Sequence, residues 1–379
     1  MEFGFSKELD LLREMYKKFA ETEVKPLAEE LDEEERFPVE NIPKLARYGF
    51  MGIPFPKEYG GAGGNYLTYA MAIEELGKVC ATTAVIVSAH TSLCAGPIYY
   101  FGTEEQKQKY LVPLAKGEKI GAFGLTEPSA GTDSSMQQTT AKLDGDEYVL
   151  NGTKVFITNA GYADIYVVIA MTDKSKGNRG ISAFIVEKGT PGFSIGKKER
   201  KMGIRGSATC DLIFENCRIP KENLLGKEGQ GYKIAMTALG GGRIGIGAQS
   251  VGIAQGAIDE TLKYVKERKQ GGKPIGKYQN TQFKLAEMQT KTDAARLMVW
   301  RAAVEKDNHG NYAPLAAMCK MFGSEVANEV TRMAVQLFGG YGYCREYPVE
   351  RAMRDAKITE IYEGTNEAMR MIISGAMKV

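Results

Sequence analysis

The chain has 379 residues, 43% of them hydrophobic, and its 49 basic and 47 acidic residues leave a formal net charge of +2. This length favours two or three domains. The charge balance gives no electrostatic reason to expect nucleic acid or an anionic membrane surface as a partner. No apolar run reaches the length that a bilayer span needs, and the N-terminus shows no signal or transit pattern. We therefore expect a cytoplasmic protein without membrane insertion.

The hydrophobic pattern divides the chain into three blocks. Residues 1–118 are predicted to be helical, because apolar residues recur at helical spacing, and the loop "FPKEYGGAGG" interrupts them. Residues 119–225 carry closely spaced β-prone runs without intervening helices, which predicts an antiparallel barrel or sandwich. Within this block, Asn151-Gly152 predicts a hairpin turn. Residues 226–379 are predicted to form a helix bundle, so the fold class is α+β.

Histidine and cysteine are scarce. His90 and His309 are the two histidines of the sequence, and its six cysteines form no CxxC pair. These residues could supply few ligands for a zinc centre and few histidines for a Ser-His-Asp triad, and we expect no metal. The cysteines are expected to be reduced and mostly buried. If the protein is an enzyme, we expect a carboxylate base and a cofactor that supplies the difficult chemistry.

Two stretches of the β block have side chains suited to a ligand. In "FGLTEPSAGTD", residues 123–133, Thr126, Gly131 and Thr132 offer hydroxyls and bare backbone N–H groups to phosphate or a heterocycle. The alternative is an ordinary loop. In "KVFITNAG", Phe156 and Thr158 lie two apart, which would place a ring and a hydroxyl on one face of a strand. They could cover a flat ring, or the segment could be a routine strand.

Two glycine clusters lie in the C-terminal block. "LGGGRIGIGAQSVG" lacks the third glycine of a dinucleotide fingerprint, and no predicted strand precedes it, so we reject a Rossmann site. We expect a loop before a long helix that lets Arg243 or the backbone meet a ligand. "QLFGGYGYCREY" places Gly339, Gly340 and Gly342 among aromatic residues, which indicates either a nucleotide contact or a tight turn.

The segment "ITEIYEGTNEAMR", residues 358–370, places Glu363 directly before Gly, Thr and Asn. Burial would raise the pKa of this carboxyl group, and a base in a dry pocket could take a proton next to a carbonyl. Gly364 would allow close approach and leave N–H groups free to donate. The alternative is a surface glutamate at a helix boundary, with Thr365 or Asn366 as N-cap.

The motifs "LTEPSAGTD", "FITN", "ERK…GK", "QLFGGYGY" and "RDAKITEIYEGTNE" occur in an order that resembles the acyl-CoA dehydrogenase family across essentially the whole chain. "SAHTSLCAGPIYYFGTEEQKQKYL" makes it most similar to the bacterial short-chain, butyryl-CoA group. The resemblance implies an N-terminal helical domain, a middle β domain and a C-terminal four-helix bundle. It also implies non-covalently bound FAD and an acyl-CoA substrate.

In the reaction that this resemblance implies, Glu363 takes the α-proton while the β-hydride passes to flavin N5, which leaves a trans-2-enoyl thioester. The Glu363 N–H and a ribityl hydroxyl of FAD would hold the thioester carbonyl. Electrons would be exchanged with an electron-transferring flavoprotein, in either direction. A dicarboxylic substrate is not expected, because "TTAVIVSAHTSL" lacks an arginine. A branched or alicyclic substrate such as cyclohexanecarboxyl-CoA, or a catalytically silent flavoprotein scaffold, stays open.

The resemblance also assigns binding residues by position. Those implied to line the flavin are Phe123, Leu125, Thr126, Thr132, Phe156, Ile157 and Thr158. Those implied to reach the FAD of a neighbouring subunit are Arg268, Gln279, Gln336, Leu337, Gly339 and Gly340. This sharing implies a homotetramer built as a dimer of dimers. Thr365, Asn366 and Glu367 would close over the adenine side, and the substrate would meet Thr132, Gly240, Arg243 and Gly364.

Two positions depart from the family pattern. Gly240 stands where relatives commonly have Asp, which leaves one substrate or loop contact in doubt. Gly271 stands where relatives commonly have Phe, in "QGGK". We therefore expect weaker FAD retention than in a typical relative, and we expect Gly271→Phe to tighten it.

Overall fold

The computed structural model describes residues 6–378, and its first part is helical. A capping box between Asn65 and Thr68 starts helix α4, and the Asp307 carboxylate accepts the next two free N–H groups, from Tyr66 and Leu67. The first and last parts of the chain are thereby joined. The helices are α1 (Lys7–Phe19), α2 (Ala28–Glu33), α3 (Asn41–Arg47), α4 (Tyr66–Val79), α5 (Ala81–Ser88), α6 (Gly96–Phe101), α7 (Glu104–Gln106) and α8 (Val112–Ala115).

A π-helical segment, Ala89–Ala95, joins α5 and α6 into one continuous helix, Ala81–Phe101. By length and composition this helix could cross a membrane, whereas the sequence analysis found no run long enough. Almost all of it is buried inside the protein. Its apolar character therefore matches a core helix, since it packs against α4, α9 and the sheet.

The middle part forms one eight-stranded sheet in the order β6-β7-β3-β2-β4-β5-β8, with β1 paired to β4. Most neighbours are antiparallel, as predicted, but β1 and β2 both run parallel to β4. The strands are β1 (Gly121–Gly124), β2 (Thr140–Asp144), β3 (Glu147–Thr158), β4 (Ile165–Met171), β5 (Ile181–Glu187), β6 (Phe193–Lys198), β7 (Thr209–Pro220) and β8 (Leu224–Leu225).

The hairpin predicted at Asn151-Gly152 is wrong. Strand β3 continues through both residues, and the turn lies earlier, at Gly145 and Asp146, where β2 ends and β3 begins. Gly145 has φ +65°, as a tight hairpin turn requires. Gly152 instead lies at a bulge opposite β7, where a Cβ would collide with Thr139. The glycine there serves a close backbone approach.

The C-terminal part consists of three long helices and two short ones. Helix α9 has 37 residues and packs against α4, α10 and α11, while α12 and α13 pack on α11. The bundle is therefore built around α9 and α11, and it includes α4 from the first part of the chain. The elements are α9 (Gly231–Glu267), β9 (Lys269–Gln270), β10 (Lys273–Pro274), α10 (Gln279–Asp307), α11 (Ala313–Phe338), α12 (Pro348–Lys357) and α13 (Asn366–Met377).

The loop predicted at "LGGGRIGIG" is also wrong, because these glycines lie inside α9. Each glycine weakens an isolated helix by about 1 kcal/mol relative to alanine. Packing offsets this cost here, since residues 240–254 of α9 are all buried. A Cβ at Gly240 would lie 3.0 Å from the Tyr312 ring, and one at Gly241 would lie 2.9 Å from the Tyr66 hydroxyl. The glycines let neighbouring helices approach this part of α9 closely.

The departure at Gly271 has a backbone explanation. Gly271 and Gly272 form the two-residue turn between β9 and β10, with φ +56° and +81°. Both values are left-handed, which glycine adopts without strain. A Cβ at Gly271 would also lie 2.9 Å from the Tyr278 hydroxyl. A phenylalanine at 271 would therefore strain this turn, whatever it adds at a cofactor.

We expect Gly271→Phe to destabilise the protein by about 1–2 kcal/mol, because a bulky residue must adopt the left-handed conformation. Thermal and urea unfolding of wild type and variant measure this. Gly271→Asn is the matched control and should lose less, since asparagine tolerates this conformation. Equal stability of wild type and Gly271→Phe would mean that the turn rearranges without cost. Backbone strain would then not oppose the expected gain in FAD retention.

Candidate active site

Glu363 lies in a turn between a 3₁₀ helix, Ile358–Glu360, and α13. Glu363 and Gly364 both have left-handed backbone angles, with φ +53° and +96°. Thr365 is the N-cap of α13, as one prediction had it, because its hydroxyl accepts from the Ala368 N–H at 3.2 Å. The alternative interpretation, a surface glutamate, is wrong. Glu363 is only partly exposed, and its Oε2 is buried without a hydrogen-bond partner among residues 6–378.

The surroundings of Glu363 favour the protonated acid. Burial raises the pKa of this carboxyl group to about 8, although the positive charges of Arg243 and Lys320 oppose the shift. Arg243 is itself almost fully buried, and its Nε donates to the Glu363 backbone carbonyl at 3.2 Å. Gly364 lies next to the same guanidinium group. The structure thus brings together the predicted residues Glu363, Gly364 and Arg243.

Helix α9 provides the wall that faces the Glu363 carboxylate. A Cβ at Gly242 would overlap the carboxylate atoms, and one at Gly245 would overlap Ser88 Oγ and the Tyr69 hydroxyl. These two hydroxyls are 2.9 Å apart and fully buried. The sequence analysis singled out neither Ser88 nor Tyr69, and it gave Gly242 no role. Only the packing of α4 and α5 on α9 brings them to Glu363.

The predicted flavin-lining residues form a second group, in the sheet. The Val155 N–H donates to the Thr126 carbonyl at 2.9 Å, which ties β3 to the loop after β1. Beneath the loop, a buried Lys154–Glu127 ion pair at 2.7 Å fixes its backbone. Phe123, Leu125 and Ile157 are buried, Thr126 and Thr158 are half-buried, and Thr132 is exposed.

Phe156 is the residue that best indicates whether this group fits a flavin. It lies at a bulge of β3 with φ +59°, and 64% of its surface is exposed. An exposed aromatic ring held on a strained backbone is costly unless something covers it. A flat aromatic ligand would cover the ring, and the adjacent Thr126 and Thr158 hydroxyls could donate to ring nitrogens or oxygens. The residues present therefore fit the isoalloxazine ring of FAD.

The remaining predicted residues fall into an exposed group at or after the ends of α9 and α11, and a smaller group near the start of α13 and on α9. The exposed members are Arg268, Gln279, Gln336, Gly339 and Gly340, with Leu337 half-buried. The Arg268 guanidinium lies 5.2 Å from the Tyr341 ring centroid, so the segment after α11 adjoins the end of α9. At the start of α13, Glu367 is exposed, whereas the Asn366 side chain forms hydrogen bonds with Lys320 and Ser324. Gly240 is buried against Tyr312.

Histidine does not compete for the role of base. His90 is fully buried, and its Nδ1 accepts from the Gly121 N–H at 3.0 Å. Burial lowers the pKa of His90 to about 4, so the ring is neutral and structural. The six cysteines are free, and five of them are buried, as expected. Among residues 6–378, Glu363 is the carboxylate whose raised pKa comes with an unpartnered oxygen atom.

We expect Glu363→Gln to stabilise the protein at about pH 9, because the folded wild type must then hold an ionised, buried carboxylate. Folding raises the pKa of the Glu363 carboxyl group, so the protonated group favours the folded state. This contribution to stability is lost as the pH rises through about 8. Below the ordinary value of 4.5 the two proteins should differ little. Thermal unfolding at several pH values measures the difference. Glu367→Gln, at an exposed carboxylate with a lowered pKa, should bring no gain at high pH.

Comparison with known proteins covers the whole described chain. The profile of the acyl-CoA dehydrogenase N-terminal domain matches residues 6–118, that of the middle domain residues 122–217, and that of the C-terminal domain residues 229–378. The short-chain-specific acyl-CoA dehydrogenase of Clostridium acetobutylicum is 60% identical over 375 residues, which are 99% of each chain.

Solved structures agree with these matches. The butyryl-CoA dehydrogenase from Megasphaera elsdenii has a TM-score of 0.98 and 51% identity, over 100% of both chains. A chain from a study of the electron transferring flavoprotein of Acidaminococcus fermentans has a TM-score of 0.98 and 57% identity, over 100% of this chain and 99% of that one. This protein therefore belongs to the acyl-CoA dehydrogenase family, whose members depend on FAD.

Proposed function

We propose that this protein catalyses the α,β-dehydrogenation of a short-chain acyl-CoA thioester, butyryl-CoA to crotonyl-CoA or the reverse, with Glu363 as the base. The observation that carries the proposal is the buried Glu363 carboxylate, whose Oε2 has no partner among residues 6–378 and whose pKa is raised to about 8. Such a carboxylate is a far stronger base than one in water. Similarity to relatives named for short-chain acyl-CoA and butyryl-CoA supports the choice of substrate.

Glu363 contributes two groups to the reaction. Its carboxylate removes the proton from the substrate Cα, and its backbone N–H can donate to the thioester oxygen, where negative charge develops. No carbonyl or side chain among residues 6–378 accepts a hydrogen bond from this N–H. Arg243 holds the carbonyl of the same residue from the other side. When bound, FAD supplies the acceptor for the hydride that leaves Cβ.

The sheet residues hold and orient the cofactor in this proposal. Phe156 offers its exposed ring for stacking, and the bond between Val155 and Thr126 keeps the loop after β1 beside it. The side chains of Thr365 and Asn366 are engaged within the chain, so the adenine side would meet their backbone or the exposed Glu367. The exposed residues around Arg268 and Gly339 do not contribute to the Glu363 turn of their own subunit. This supports the sharing of FAD between subunits.

We further propose a homotetramer, built as a dimer of dimers, as the working unit. The electron partner is an electron-transferring flavoprotein, which the similarity to the chain from the Acidaminococcus fermentans study supports. We propose a cytoplasmic location without membrane insertion, and the burial of helix Ala81–Phe101 inside the protein agrees with this.

An anaerobic visible spectrum before and after addition of butyryl-CoA tests the function. We expect an oxidised flavin spectrum that bleaches in wild type and does not bleach in Glu363→Gln, because only the wild type can remove the α-proton. Cyclohexanecarboxyl-CoA and longer thioesters are the comparison substrates, and preferential bleaching by one of them would change the substrate but keep the chemistry. A flavin that no thioester reduces would favour a silent scaffold, and a colourless protein that takes up no FAD would contradict the proposal.

We expect Gly242→Ala to lower kcat by roughly 100-fold or more, since the new methyl group overlaps the Glu363 carboxylate and displaces it by about 1 Å. Steady-state dehydrogenation and the rate of flavin bleaching both report this loss. Gly375→Ala is the matched control, because a Cβ there meets no atom within 4 Å. Full activity of Gly242→Ala would mean that the carboxylate works from another position.

A further inference from the structure

Lys320 in α11 is one of the largest fully buried side chains of the described structure. Its Nζ donates to the Gly364 carbonyl at 2.8 Å and to Asn366 Oδ1 at 3.0 Å. These two partners are uncharged, and no carboxylate among residues 6–378 forms an ion pair with Lys320. A buried ammonium group without a paired anion destabilises the folded state. Some compensating interaction must therefore keep a lysine, rather than an apolar residue, at this position.

Helix stability does not supply that interaction. Lys320 Nζ lies at the N-terminal end of α13, because Gly364 and Asn366 flank its N-cap Thr365. The N-terminus of a helix favours negative charge and disfavours a cation. The cap itself is complete without the lysine, since Thr365 satisfies the Ala368 N–H. An ammonium group here weakens the start of α13.

The turn at Glu363 does gain from the lysine. The left-handed conformation of Glu363 stores strain, and it persists only where neighbouring contacts hold it. Arg243 from α9 holds the Glu363 carbonyl, and Lys320 from α11 holds the Gly364 carbonyl. With both carbonyls held, the turn keeps the backbone conformation from which the Glu363 side chain projects. Two helices thus clamp the turn through one cation each.

The charges at this turn also favour an effect on proton transfer. Burial lowers the pKa of Lys320, and the Glu363 carboxylate is the strongest influence that raises it. The charged or titratable groups that face Glu363 or Lys320 are Arg243 from α9, Tyr69 from α4, and Glu360, Tyr362 and Glu367 from the C-terminal segment. Burial keeps the pKa of Tyr69 and of Tyr362 above its ordinary value, so both are neutral near pH 8. Near pH 8, the net charge at this turn is therefore set mainly by Glu363, Arg243 and Lys320.

We propose that Lys320 is a positioning residue for the dehydrogenation: it fixes the Gly364 carbonyl so that Glu363 faces the substrate, and its positive charge favours the ionised form of the Glu363 carboxylate. This inference rests on the proposed function of Glu363. Lys320 itself does not touch the reacting atoms.

The test replaces Lys320 with methionine, which has similar length and no charge, in the FAD-loaded protein. Because a nearby cation favours the ionised carboxylate, its removal should move the acidic limb of the kcat/KM profile upward by at least about half a pH unit. We also expect kcat to fall by at least about 10-fold with a smaller change in KM, since the turn loses its clamp. Lys320→Gln gives the same test if the methionine variant does not fold.

Lys306→Met is the matched control for the loss of a buried lysine. Lys306 Nζ packs on the rings of Tyr66 and Tyr312, and its charged neighbour is Asp307 rather than Glu363. This variant should lose thermal stability without moving the acidic limb. If Lys320→Met likewise loses stability and leaves the limb in place, Lys320 has only a structural role and the inference fails.

A second measurement does not require turnover. Difference infrared spectroscopy follows the carboxylic acid band of Glu363, which is identified by its absence in Glu363→Gln. The titration midpoint of this band should rise in Lys320→Met. An unchanged midpoint would overturn the inference even in an active enzyme. If no acyl-CoA reduces the wild-type flavin, the proposed function fails, and the infrared titration still decides whether Lys320 acts on Glu363.

Discussion

The site depends on a carboxylate that is held largely out of water, with one oxygen buried and without a partner among residues 6–378. Glu363 would be an ordinary acid on an exposed turn, because a charged carboxylate is most stable in water. Its turn instead adopts two left-handed residues and lies against the glycine face of α9. Every other feature of the site serves this placement: the glycines make room for the acid, and Arg243 and Lys320 hold the carbonyls on either side of it.

The same placement explains why distant parts of the chain must meet. The acid comes from the segment before α13, the wall from α9 and the buried hydroxyls from α4 and α5. The sheet contributes a separate surface for a flat ring, fixed from below by the Lys154–Glu127 ion pair. Because no single domain holds a complete site, the chemistry needs all three parts of the α-β-α plan, as the fold does.

The order of motifs was sufficient to predict the family and the three-part plan, and it singled out Glu363 as the candidate base, because these inferences depend on residues that are adjacent in sequence. Local patterns failed where tertiary contacts override them. Asn151-Gly152 is a strong turn signal, yet Gly152 is needed for a close approach to Thr139, and Gly145-Asp146 makes the turn. The glycines of α9 read as a loop because their helix depends on packing. Lys320 and Tyr69 were missed because their contacts join residues far apart along the chain.

Helix α9 has a further consequence for how the protein unfolds. At about 1.5 Å per residue its 37 residues extend over roughly 55 Å. Along this length it packs against α4, the helix Ala81–Phe101, strands β4 and β5, and both α10 and α11. Elements from all three sequence-defined domains therefore pack against this one helix. Because no domain can separate without losing its contacts with this helix, we expect the three domains to unfold together.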